Sequence, residues 1–218
     1  YEWQRLLGLP GVSVYGARIL NSNQITPETL RAMEPRISKT ADLILPGAEL
    51  DVLAYGCTSA TMTLGEEVVF ERLKAARPNA RFTTPITGAF AAFEALGARR
   101  IGVLTPYRAD VNQIVADYIS GRGFEVPVFG SFNEERDDLV ARIDATSLKS
   151  GIEHICALAE VDAVFVSCTS VRLADHVVEI EQAIGLPVTS SNHAMAWHAL
   201  RLGGVDDKLP EFGRLFAL

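Results

Sequence analysis

Long apolar runs are missing from this chain. No stretch reaches the roughly 18 to 20 residues that cross a bilayer, and no signal-peptide pattern is present. Cysteine is scarce. Three in 218 residues make no disulfide framework and predict a reducing compartment, the cytoplasm. Positive charge is in deficit, with 20 Lys and Arg against 27 Asp and Glu, a net charge of −7. That balance argues against nucleic acid and anionic membranes as partners. Several motifs are also absent: a G-x-G-x-x-G turn after a strand, a phosphate loop ending in GK[ST], and a G-x-S-x-G elbow. The four histidines (154, 176, 193 and 198) lack zinc spacing with cysteine partners, so no metal is expected.

What is present is a repeat. Residues 51–59 read DVLAYGCTS and residues 162–170 read DAVFVSCTS, aligned without a gap. Each is a buried strand that runs into Cys-Thr-Ser, with a helical pattern beyond. Thr84 to Gly97 is similar to Ser190 to Gly203, and Gly11-Val12 falls where Gly123-Phe124 falls. A period near 110 residues indicates a duplicated domain, not a solenoid. Strands alternate with helices throughout, which predicts an α/β fold of two pseudo-symmetric, doubly wound lobes with parallel sheets and a site between them. The lobes are expected at 1–98 and 99–218, with 187–218 packing across.

Individual elements follow from the pattern. Val12 to Tyr15 alternates as a strand, and Thr26-Pro27 caps a helix that ends near Ala32. One long helix is expected from Cys57 to about Ala76, and others over Glu134–Ile143, Val171–Ile184 and Leu209–Phe216. The second half opens with the strand Ile101 to Thr105, and nothing in the first half corresponds to it. The repeat therefore predicts a strand and loop ahead of Tyr1.

Cys57 and Cys168 are the candidate catalytic residues. One cysteine at a strand end would read as a small buried hydrophobe. Two at matched positions, each followed by Thr-Ser, point to a pair of thiols facing each other across a cleft. A helix N-terminus behind each would lower its pKa. Cys156, in the apolar setting of Ile152, Ile155 and Leu158, reads as core. Thr58, Ser59, Thr169 and Ser170 suit helix capping and the binding of carboxylate oxygens. Thr105 and Tyr107 end a third strand, at the edge that faces the ligand crevice in an open α/β sheet, and both are expected to bind substrate, Tyr107 as a phenolic donor. Asn192 and His193 read as structural caps; a lone Cys-His pair with His193 would leave the duplication unexplained.

GCTSAT (Gly56–Thr61), LTPY (Leu104–Tyr107), SCTSVR (Ser167–Arg172) and SSNHAMAWHALR (Ser190–Arg201) resemble the aspartate/glutamate racemase superfamily, in its maleate isomerase and arylmalonate decarboxylase branch. Within that branch the chain is most similar to maleate isomerase-like proteins of ectoine utilization. The resemblance implies two lobes, a site between them and no cofactor. It makes Cys57 the nucleophile toward an alkene, Cys168 the acid/base and Tyr107 a carboxylate ligand. The decarboxylases have glycine at the first cysteine position, so two cysteines argue against decarboxylation. A substrate-binding asparagine is implied near Arg136–Leu139, where Asp137 and Asp138 stand. Asp138 is taken as the binding residue, and a carboxylate there favours a substrate that carries an amine. The expected activity is a cofactor-independent isomerase of a small carboxylate. An amino-acid racemase with two-base thiol chemistry, or a non-catalytic binding protein, are the alternatives. A homo-oligomer is the expected assembly.

Overall fold

The computed structural model describes residues 1–218. The chain begins with α1 (Glu2–Leu6), an extended stretch, α2 (Pro27–Arg31) and α3 (Ile37–Asp42). Next come β1 (Val52–Ala54), α4 (Thr58–Leu64), α5 (Glu66–Ala76), β2 (Arg81–Thr83) and α6 (Pro85–Ala95). The second half runs β3 (Arg100–Thr105), α7 (Ala109–Gly121), β4 (Glu125–Ser131), α8 (Asp137–Val140) and α9 (Ala145–Leu158). It closes with β5 (Ala163–Val166), α10 (Val177–Ile184), β6 (Val188–Ser190) and α11 (Ser191–Gly203).

Two parallel sheets result. β1 pairs with β2, Leu53 opposite Phe82, and the second sheet has the order β4-β3-β5-β6. In each sheet the cysteine strand lies beside a strand that feeds a capped helix. Thr84 Oγ1 accepts the Thr87 amide at 3.2 Å to start α6, and Ser190 Oγ accepts the His193 amide at 3.3 Å to start α11. Such caps satisfy amides that a helix leaves without partners. These two helices pack face to face, and a Cβ on Gly88 would lie 2.8 Å from the backbone of Ala194 and Met195. Only glycine permits that approach. The cysteine strands thus hold corresponding places in the two halves.

The hydrophobic core is uneven. One cluster of 40 buried residues surrounds the second sheet and includes Leu6, Leu7, Met62 and the buried apolar side chains of α6 (Ile86, Ala89, Phe90, Ala92 and Phe93). A separate cluster of 10, with Leu30, Met33, Ile37 and Leu53 among them, belongs to the first half alone.

Five elements differ from expectation. Val12 to Tyr15 forms no ladder, and Val14 and Tyr15 lie 42% and 55% exposed, so their apolar side has nothing to cover it. The helix after Cys57 is broken at Gly65, whose φ of 88° lies outside the helical region. Only Asp137–Val140 of the expected Glu134–Ile143 helix is helical. The Ile25 amide donates to Glu135 O, and Gln24 bridges to Arg136, which holds the approach extended. After Cys168 no α-helix begins until Val177, preceded only by a 3-10 turn at Ala174–His176, because the amides of Leu173 and Ala174 donate to the buried Glu2 carboxylate instead. Leu209–Phe216 resolves into two short 3-10 turns on either side of Gly213 (φ 100°).

Candidate active site

β1 ends at Ala54, and Tyr55-Gly56 carries the chain to Cys57, the N-cap of α4 with an extended backbone (φ −144°). β5 ends at Val166, and Ser167 carries the chain to Cys168, whose φ is 118°. That value is rare for a residue with a side chain and costs about 1–3 kcal/mol. Both thiols, Tyr107, Asp137 and the Thr-Ser pairs line one cavity of about 310 Å³.

The two loops are tied together. Ser191 Oγ, at the start of α11, accepts the Cys168 amide at 2.9 Å and the Thr58 hydroxyl at 2.7 Å. Thr169 donates its hydroxyl to Gly56 O at 3.2 Å, and Asn192 Nδ2 donates to Thr169 O at 2.9 Å. Ser170 donates to Asp137 Oδ1 at 2.6 Å. None of the four Thr-Ser hydroxyls caps its own helix, contrary to expectation. α4 has no side-chain cap, and no helix follows Cys168 directly.

Tyr107 is buried to 1% exposure and rigidly held. Its amide donates to Thr105 Oγ1 at 3.2 Å, and its carbonyl accepts Asn112 Nδ2 at 2.8 Å and the Ser131 hydroxyl. Thr105, expected to touch substrate, instead anchors this loop and does not line the cavity. Asp138 also departs from expectation. Its carboxylate is held by Arg136 and Asn23 and lies off the cavity, and Asp137 lines it in its place. Consecutive residues at the first turn of α8 point different ways, so a one-residue choice decides which carboxylate faces in.

Electrostatics reverse the expected direction for the thiols. Burial pushes Cys57 up to about 11, against the pull of the Ala60 amide in the first turn of α4. Burial also raises Cys168, against the Tyr107 hydroxyl and the amides of Ser170 and Val171. Each donor favours the thiolate, but desolvation of the charged form outweighs them. The Tyr107 phenol is itself raised, first by burial and then by the charge of Cys168. The free protein therefore holds two protonated thiols and a protonated phenol around one cavity.

His193 takes no part: its ring bonds Thr189 Oγ1 at 2.9 Å and Phe212 O at 2.8 Å, and burial lowers it to about 4. Asn192 is likewise structural, bonding Glu2 and Thr169. Cys156 is half-buried against the large core. No group of three or more His, Cys, Asp and Glu side chains converges as metal ligands. Two contributors escaped the sequence reading. Ser191 stands where the first half has Pro85, so the repeat could not flag it. The stretch from Ala17 to Gln24 brings Arg18, Asn21 and Gln24 to the cavity without any regular structure to announce it.

The arylmalonate decarboxylase family profile matches residues 10–216. A maleate isomerase of Pseudomonas putida is 30% identical over 91% of this chain and 82% of its own. The arylmalonate decarboxylase of Bordetella bronchiseptica is 32% identical over 62% of this chain, a match spanning 57% of that enzyme's length. Among solved structures, a Pseudomonas putida maleate isomerase superposes with a TM-score of 0.91 at 26% identity, covering 99% of this chain and 92% of its own. A cysteine-to-serine mutant of the Nocardia farcinica maleate cis-trans isomerase, with a covalently bound succinylcysteine intermediate, superposes at 0.88 and 25% identity over 99% of this chain and 91% of its own. Fold, paired strands and sequence agree, and the chain belongs to the arylmalonate decarboxylase family.

Proposed function

We propose that this protein is a cofactor-independent isomerase of a small carboxylate that works with two cysteines. The observation that carries the reading is the convergence of Cys57 and Cys168 on one cavity beside Tyr107. In turnover Cys57 first gives its proton up to solvent, which leaves one proton on the pair, at Cys168. Cys57 thiolate adds to one alkene carbon, forming a C–S bond and moving the π electrons to the carbon next to the carboxylate. Cys168 protonates that carbon, leaving a single bond free to rotate. Cys168 then recovers a proton, the C–S bond breaks, and the double bond returns in the other geometry. The backbone amides of Thr58, Ser59, Thr169 and Ser170 and the Tyr107 hydroxyl stabilise the transient negative charge, while the Thr58, Thr169 and Ser170 hydroxyls hold the loops that carry those amides; preorganised donors of this kind are worth several kcal/mol. The covalent sulfur intermediate in the Nocardia farcinica relative supports this course. We place the activity in ectoine breakdown, on the resemblance carried by the four motifs.

A racemase is the second reading, because Asp137 puts a carboxylate where a substrate amine would sit. One thiolate would take the α-proton and the opposite thiol would return one from the far face. Mass spectrometry of two variants separates the readings. With maleate or its monoamide, Cys168→Ala gains the mass of one substrate and loses about a thousandfold in turnover, while Cys57→Ser gains none. Exchange of an amino acid's α-hydrogen without an adduct establishes the racemase. Neither signal across a panel of small carboxylates rejects both.

A further inference from the structure

Asp137 and Arg18 are the two charged residues that line the cavity. Their neighbours treat them differently from Asp138, one residue along. Asp138 is neutralised by Arg136, with Nη2 to Oδ2 at 2.9 Å, and receives Asn23 Nδ2 at 2.9 Å. Asp137 receives one hydroxyl, from Ser170, and forms no ion pair; its second carboxylate oxygen takes no protein donor. Its charge acts on both thiols, pushing Cys57 and Cys168 in the same upward direction. It lines the same cavity as both sulfurs.

Arg18, an exposed residue at the edge of the cavity, forms no hydrogen bond or ion pair within the chain, which leaves its charge free for a substrate carboxylate. The wall thus presents one cation and one anion. A dicarboxylate would find a single partner and one repulsion, and repulsion against the wrong ligand is a standard device of specificity. We infer that Asp137 is a specificity-determining residue, selecting a small carboxylic acid whose second polar group is an N–H donor, amine or amide, and rejecting dicarboxylates. The inference rests on the reading of this cavity as the isomerase site. It names the substrate class for either mechanism, since an amide of an unsaturated acid and an amino acid both carry the required nitrogen.

The test is calorimetric titration of wild type, Asp137→Asn and Asp137→Ser with succinate, succinamate and 4-aminobutyrate, none of which has a double bond to react. Wild type is expected to bind one of the two nitrogen compounds at least about tenfold tighter than succinate. Removing the charge should cut that preference about tenfold by improving succinate. The stronger nitrogen compound tells amide from ammonium. Equal or tighter succinate binding by wild type, an unchanged ratio in both variants, or no binding of any compound overturns the proposal. Because binding is read without turnover, a failed isomerase assay beside an intact preference removes the catalytic reading and leaves Asp137's role standing.

Discussion

Gly56-Cys57-Thr58-Ser59 and Ser167-Cys168-Thr169-Ser170 share three letters and diverge in backbone. The first Cys-Thr-Ser opens a helix, so an amide of α4 reaches the Cys57 thiol. The second turns through a positive φ, and its sulfur leans on a phenol as well as on loop amides. The sequences preserve position at the sheet edge, while the chain beyond each cysteine sets the chemistry. Cys57, partly exposed, suits the role of attacking sulfur. Cys168, buried to 5% and paired with Tyr107, suits proton transfer.

pH gives the largest contrast. With a thiol raised to about 11, alkylation of Cys57 by iodoacetamide should rise about a hundredfold from pH 7 to 9. Cys168 should lag at each pH because it is less accessible. Equal rates at the two sulfurs would erase the distinction. The proton is held more tightly in the folded chain than at the ordinary thiol value of 9.0, so this group's contribution to stability is full below pH 9 and is lost as pH rises toward 11. Denaturation midpoints across that range check the sign, and Cys57→Ala should flatten them.

Tyr107→Phe comes next. It removes the donor to Cys168 and should lower kcat about tenfold or more, while Cys57 labelling stays unchanged. A parallel drop in Cys57 labelling would show the two sulfurs to be one coupled unit.

The smallest effect is on stability. At position 57 serine can cap α4, so Cys57→Ser should exceed Cys57→Ala by about 1 kcal/mol. At position 168 there is no helix to cap, and serine should gain nothing over alanine. There glycine should exceed alanine by about 1–2 kcal/mol, because the backbone already lies where glycine is at ease. Urea unfolding of the five variants reads this directly.

Much of this was legible in the sequence, for local reasons. Both cysteine strands, their parallel neighbours and the two helices that follow those neighbours come from apolar runs, turn residues and the repeat. What escaped was set by partners far along the chain. The missing helix after Cys168 depends on Glu2, more than 160 residues away, which takes the Leu173 and Ala174 amides. The exchange of Asp138 for Asp137 depends on Asn23 and Arg136. Thr105 carried the right position for a ligand, but Asn112 and the Tyr107 amide had claimed its hydroxyl. The thiol pKa values failed expectation because dipoles can be read from a helix start, whereas burial cannot.

The pairing of α6 with α11 has a consequence for the order in which the chain assembles. By the time Gly88 leaves the ribosome, Ala194, the backbone it fits against, has yet to be synthesised. The first half meanwhile holds a ten-residue core and a two-stranded sheet, too little to stand alone. The second half, which supplies 31 of the 40 residues of the large cluster, provides the surface on which it settles. Its active-site loop, Cys57 included, is therefore completed late, after the last helix has been made and docked. Such long-range closure slows folding and leaves β1 open to mispairing in the interval.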